Sequence, residues 1–272
     1  MKNLSFGQYY PVSSPVHRMD PRAKIVLLIA YIVLVFLVKN FYGFLAAGLF
    51  LVCAIIFSRV PVLSVLKGIK AILAIIIITF LINLLLHEDN EQTVYCAFWI
   101  FKITDKSIEF ASFMALRLIY LVLGSSILTL TTTPVSLTDG IEWLLTPLKV
   151  VRFPVHELAL VMSIALRFIP TLSEETNRII SAQKARGADF ESGNLFKKIK
   201  ALFPVLVPLL VSAFRRADEL GEAMEARCYS GSKNRTKYKK LTFTYRDLIA
   251  FLAVCALYAA VILLNIYGVN II

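Results

Sequence analysis

Apolar residues gather in nearly uncharged runs over residues 25–38, 41–57, 69–86, 108–130 and 248–266. A spanning helix needs about 20 apolar residues to cross a hydrocarbon core about 30 Å thick. The last three runs reach that length with their flanks. The first two are short and are separated only by Lys39-Asn40, which predicts a tight hairpin of short helices, with a re-entrant segment as the alternative. From residue 131 to 245 the pattern changes to amphipathic spacing. Residues 137–151 alternate at helical period. Residues 154–169 are mostly apolar but carry Glu157 and Arg167 and are too short to cross, predicting a helix along the membrane surface or against other helices. Pro170 is expected to break it, and Thr171 with Glu174 then resembles a capping box opening the next helix. That helix is expected to run to about Arg186 and stop at Gly187, the residue type best suited to the left-handed position beyond a helix end. Another is predicted to begin near residues 204–208, apolar over 205–214 and charged from Arg215 to Arg227, ending around Cys228.

The fold class that follows is an all-α polytopic membrane protein, with about five transmembrane helices and a cytoplasmic domain of amphipathic helices. The expected divisions are a membrane domain over 1–134, a cytoplasmic domain over 135–243 and a last transmembrane helix over 244–272. Thr131-Thr132-Thr133-Pro134 marks the first boundary, because proline disfavours helical geometry in the residue before it. The polar, charged stretch from Met1 to Lys24 ahead of the first apolar run predicts no cleavable leader.

Composition strengthens the membrane assignment, since 58% hydrophobic residues exceeds what soluble domains carry. The net charge of +11 is distributed as topology rather than as a nucleic-acid surface. Basic residues crowd the first 24 positions, the connection holding Arg59, Lys67 and Lys70, and above all residues 135–246, whereas the loop 87–106 carries Glu88, Asp89, Glu91 and Asp105. The positive-inside rule then places the N-terminus and residues 131–245 in the cytoplasm, with the acidic loop and the C-terminus outside.

Candidate chemistry is sparse. Cys53, Cys96, Cys228 and Cys255 form no C-x-x-C pair, and His17, His87 and His156 have no metal-ligand spacing, so no metal site is expected. Gly-Lys never occurs, which excludes a P-loop, and no acid–base pair or activated nucleophile stands out, so no catalytic residue is expected. Arg117, midway along the fourth run, lines a substrate path or makes an interhelical hydrogen bond. Ser125, Ser126 and residues 129–133 suit hydrogen bonds between helices, Gly43, Gly48 and Gly124 permit close approach, and the loop around Trp99 suits an interfacial anchor.

One pattern stands apart. Ala182-Gln183-Lys184-Ala185-Arg186 and, forty-one residues on, Ala223-Met224-Glu225-Ala226-Arg227 share the form A-x-x-A-R, each at a predicted helix end. A cation there stabilises any helix by about 0.3–1 kcal/mol, which is the ordinary explanation. Repetition, with small alanines narrowing each tip, suggests instead two plugs for a partner with two sockets. A guanidinium can be gripped bidentately by carboxylates or carbonyls, and lysine cannot.

Ser181–Asp189, the stretch from Ala223 through Gly231 to Tyr238, Thr131–Pro134 with the following Leu144–Lys149, and Arg18-Met19-Asp20-Pro21-Arg22-Ala23-Lys24 together resemble the energy-coupling factor transporter transmembrane proteins, the EcfT or CbiQ-like family. The resemblance extends over nearly the whole chain in hydropathy and is most specific in the two arginine motifs. It implies a non-catalytic scaffold of an ABC-type importer in the bacterial cell membrane. Two cytoplasmic coupling helices would dock into two ATP-binding ABC ATPase subunits. Other surfaces would hold a small membrane-embedded S-component that captures a vitamin or metal ion. By motif, Arg186 and Arg227 would dock, flanked by Ala185, Gly187, Ala226 and Cys228. Cys228 departs from the family pattern, where glycine is common. The chain itself would bind no cofactor, ATP residing on the partners, and no nucleic acid is implied. A cobalt- or nickel-dedicated version of the module, a self-contained secondary transporter and a membrane enzyme acting on lipid-linked substrates are the alternatives.

Overall fold

The computed structural model describes residues 9–86, 94–98, 101–188, 190, 195–229, 231 and 241–267. The expected aromatic anchor Trp99, the carboxylates Glu88, Asp89 and Glu91, and residues 234–238 of the second arginine motif's flank lie outside them. The chain forms two compact units, Met1–Trp143 with Lys240–Ile272, and Leu144–Lys239.

The first unit contains α1 (Pro21–Leu37), α2 (Phe41–Ser58), α3 (Val62–Leu86), α4 (Asp105–Thr131), most of α5 (Pro134–Leu145) and, after the second unit, α8 (Tyr245–Tyr267). The two short apolar runs do form separate helices. α1 and α2 take most of their helix contacts from α4 and α8, and the core forms where Leu34, Val38, Phe44, Ala47, Phe113 and Val261 meet. A short antiparallel hairpin, β1 (Val94–Phe98) with β2 (Phe101–Thr104), adds to the helices in a segment expected to be loop. Its backbone groups are satisfied in pairs rather than by water.

Polar residues secure both ends of this bundle. At the α1–α2 turn, Asn40 Nδ2 donates to Leu264 O at 2.7 Å, and Asn265 Nδ2 on α8 donates to Leu37 O at 2.8 Å. Arg117 reaches the same turn from α4, its Nη2 donating to Val38 O at 3.2 Å with the rings of Phe36 and Phe44 beside it. The interhelical reading of Arg117 is therefore the one the geometry supports, because a carbonyl at the end of α1 has no helical partner of its own.

At the opposite end, Asp20 caps α1 by accepting from Arg22 N at 2.9 Å, with Pro21 at the first helical position. Asp247, in the first turn of α8, accepts from Asp20 N at 2.9 Å and from Thr244 N at 2.7 Å. Lys24 Nζ donates to Thr131 O at 2.9 Å and to Thr132 Oγ1 at 3.2 Å. The motif from Arg18 to Lys24 is thus a knot joining the start of α1 to the start of α8 and the end of α4. Just before it, His17 is held between Ser14 Oγ at 2.7 Å and Tyr10 O at 3.0 Å. The Tyr10 carbonyl requires Nε2 to donate, and burial lowers the pKa of His17, favouring the neutral ring. Gly124 marks a close approach: a Cβ there would stand 2.7 Å from the Tyr31 ring.

The second unit consists of a 3-10 turn (Thr146–Val151), α6 (Val155–Ala185) and α7 (Leu195–Ala226). Here the sequence expectation needs correction. Pro170 lies inside α6, and Thr171 is interior rather than a cap. Pro204 and Pro208 lie inside α7, which starts at Leu195. An interior proline removes one hydrogen bond and costs about 3 kcal/mol, but helix formers on both sides keep the remaining ladder intact. A break would expose up to eight end groups instead. Continuity also overturns the length argument against a crossing. Among the described residues, five helices are long and apolar enough to span a membrane by length and composition: α2, α3, α4, α6 and α8. At 17 residues, α1 falls just short.

Candidate functional site

Ala185 is the last residue of α6, Arg186 its C-cap, and Gly187 follows at φ +86°. Gly187 N donates to Lys184 O and Ala188 N to Gln183 O, both at 3.0 Å. This is a Schellman ending, which satisfies carbonyls left open by the last turn. α7 ends in the same way. Ala226 is its last residue, and Arg227 leads to Cys228 at φ +56°. Cys228 N donates to Glu225 O at 2.8 Å, and Tyr229 N donates to Met224 O at 3.0 Å. The two tips therefore repeat in backbone as well as in sequence. Ala185, Arg186, Gly187, Ala226, Arg227 and Cys228 are all exposed, and among the described residues neither guanidinium has a side-chain partner.

Cys228, the departure from the family's common glycine, takes the left-handed conformation itself. A cysteine replaces glycine at the left-handed position and the helix still ends in the same frame, because two backbone hydrogen bonds offset the steric cost of the Cβ. That cost is about 1–2 kcal/mol for a residue other than glycine. Cys228→Gly is therefore expected to stabilise the α7 tip by up to about 1 kcal/mol. Slower amide exchange at residues 225–229 would register it, and exchange as fast as in the parent would contradict it. Gly187→Ala should act oppositely on α6; with nothing within 4 Å of an added Cβ there, the penalty is purely backbone.

Behind the tips, one ion pair sets the register of the two helices. Arg216 Nη2 lies 2.6 Å from Glu175 Oε2, a separation of 41 in sequence. Glu175 precedes Arg186, and Arg216 precedes Arg227, by the same eleven residues. The pair thus joins equivalent positions, about 16 Å of helix behind each tip at 1.5 Å per residue. α6 and α7 touch over a short stretch of their length, so they meet near this point rather than running side by side. Leu172, Thr176 and Ile180 on α6 and Ser212, Arg216 and Leu220 on α7 are half-buried at four-residue spacing. Being partly exposed, the ion pair stabilises by no more than about 1 kcal/mol, and its value is in setting register. The 41-residue repeat carried a signal for this pair in the sequence, because Glu175 and Arg216 are spaced like the two arginines.

The remaining chemistry is sparse: among the described residues, no three His, Cys, Asp or Glu side chains stand together as metal ligands. What the arrangement offers is shape and charge. Two narrow cationic tips project from helices held in a fixed mutual register.

Comparison with known proteins decides the lineage. The CbiQ family model, described as cobalt transport protein, matches residues 12–238. The chain belongs to the CbiQ family. Similar proteins include the energy-coupling factor transporter transmembrane protein EcfT of Ruminiclostridium cellulolyticum, 48% identical over 92% of both chains. The EcfT of Clostridium kluyveri is 46% identical over 98% of each, and that of Bacillus subtilis 45% identical over 97% of this chain and 99% of its own. With its long apolar helices, this family membership makes the chain a multi-pass membrane protein and a transmembrane component of a transporter.

Proposed function

We propose that this chain is the scaffold of an energy-coupling factor importer, joining ATP hydrolysis on two ABC ATPase subunits to reorientation of a vitamin-binding S-component. The observation that carries this reading is the pair of exposed arginine tips, alike in sequence and backbone and held in register by Glu175–Arg216. Two equal tips suit two equal sockets, as a pair of ATPase subunits would offer. When ATP draws those subunits together, helices plugged into each must move. Differential contact in the two states makes such coupling possible.

In this reading the chain is not itself an enzyme and holds no cofactor; ATP is bound and cleaved by its partners. The coupling domain over 135–243 and the N-terminus face the cytoplasm, the membrane domain over 1–134 and the last helix over 244–272 span the cell membrane, and the C-terminus lies outside. The charges of Glu157, Arg167, Glu174, Glu175, Arg178 and Lys184 favour keeping α6 at the cytoplasmic face despite its length, since charge at mid-bilayer is costly. On α7, Phe203, Leu206, Val207, Leu210, Val211 and Phe214 are exposed, a patch that supports contact with a membrane-embedded partner such as the S-component. A second reading, a cobalt- or nickel-dedicated module, draws on the family model's description as cobalt transport protein. The full-length relatives bear the energy-coupling factor name, which fits the first reading and specifies no substrate.

The test is gentle detergent purification of the tagged chain from its native membrane, with partners identified by mass spectrometry and ATPase activity assayed. Two ATPase subunits, or a homodimer, together with a small hydrophobic protein are expected. Recovery of the chain alone, without ATP hydrolysis, would refute the scaffold role.

A further inference from the structure

α1, α2, α4 and α8, with the segment before α1, line an open pocket of about 740 Å³. Its wall is mostly apolar, with Leu28, Phe50, Phe57, Ile127, Ile249 and Val254 among the lining side chains. Arg18, just before α1, Arg59, at the C-cap of α2, and Arg246, in the first turn of α8, line it as well, and among the described residues no aspartate or glutamate does. At the same end of the bundle stand Asp247 and Asp20, outside the lining, Asp20 with its Oδ2 unpartnered among the described residues. Asp247 accepts from two backbone amides, and Asp20 caps α1. Lys24, also in the lining, is bound to Thr131 and Thr132 and stands beside both carboxylates. The three arginines therefore supply positive charge that no carboxylate in the lining offsets. One more group lacks a partner: the hydroxyl of Tyr31 is buried in the same lining with no hydrogen bond among the described residues.

This combination specifies an amphiphile. An inorganic anion would satisfy the arginines and leave the apolar volume unfilled, whereas a neutral hydrocarbon would fill the volume and bring the arginines nothing. Basic pockets between membrane helices are suited to lipid head groups. We propose that the cavity binds an anionic phospholipid from the leaflet on the side where α1 and α8 begin. The phosphate sits among Arg18, Arg59 and Arg246, and an acyl chain lies against Leu28, Phe50 and Ile127. This assignment rests on the membrane character of the chain and not on the docking of its arginine tips.

The experiment is native mass spectrometry of the delipidated full-length chain in detergent, titrated with phosphatidylglycerol, with phosphatidylcholine of the same acyl chains, and with inorganic phosphate. A single phosphatidylglycerol should be retained at least about tenfold more tightly than phosphatidylcholine, as expected for several cations at one head group. Inorganic phosphate at the same concentration should not displace it. The triple variant R18Q/R59Q/R246Q should lose the preference while still binding phosphatidylcholine. Equal retention of both lipids by the wild type, which requires no variant to fold, would overturn the proposal. So would displacement by inorganic phosphate, or a triple variant that keeps the full preference.

Discussion

Replacing Arg186 and Arg227 together by alanine is expected to abolish ATP-driven uptake while the chain still inserts in the membrane. Each guanidinium is exposed and has no side-chain partner among the described residues, so its removal strands no buried group among them. The fold therefore loses only helix-end electrostatics, about 0.3–1 kcal/mol per tip. In a socket the same loss is larger, about 2–5 kcal/mol, because the partner's acceptors remain buried and unpaired. At 1.4 kcal/mol per tenfold, each single variant should weaken ATPase binding by at least about 25-fold. The assay pairs substrate uptake in vesicles with co-purification of the ATPase subunits. Arg186→Lys and Arg227→Lys should rescue only partly, since an ammonium lacks the bidentate fork. Wild-type uptake by the double variant would reduce the arginine repeat to ordinary helix capping.

Asp247→Ala is expected to be the most damaging substitution to the membrane unit itself. Its carboxylate accepts from Asp20 N and Thr244 N, and Asp247 is buried. Alanine strands both donors, at about 1–3 kcal/mol each, and removes a negative charge beside Lys24. Since those bonds tie α8, which follows the second unit in sequence, to the start of α1, the loss should loosen the bundle as a whole. Thermal unfolding in detergent followed by size-exclusion should show a midpoint lowered on the order of 10 °C. Asp247→Asn keeps one acceptor oxygen and should fall between the two. A midpoint for Asp247→Ala equal to that of the parent would mean the knot does not hold the bundle. The two substitutions also separate function from fold, since one should spare stability and the other should not.

What could be foreseen differs from element to element for physical reasons. α2, α3, α4 and α8 are near-continuous apolar runs, and such runs identify long membrane helices with little ambiguity because the bilayer sets their length. Gly187 announced the end of α6 because few other residues tolerate a left-handed backbone. Cys228 gave no such warning, and its positive φ emerged only in the structure. The prolines misled. Pro170, Pro204 and Pro208 carry strong local stop signals, yet each lies within a helix whose flanking turns outweigh one missing hydrogen bond. The strands of the β1–β2 hairpin were hidden in an acidic, aromatic loop with no clear alternation.

The sequence by itself determined the membrane character, the helical class and the repeated arginine tips, because hydrophobic run length, charge distribution and helix-end residues act locally along the chain. Only the tertiary structure decided which distant polar groups meet. It joined Glu175 to Arg216 behind the tips, Asp20 to Asp247 and Lys24 to Thr131 at one end of the bundle, and Arg117 to the Val38 carbonyl at the other. Burying a polar group without a partner is costly, and the packing of helices far apart in sequence dictates which partners come within reach.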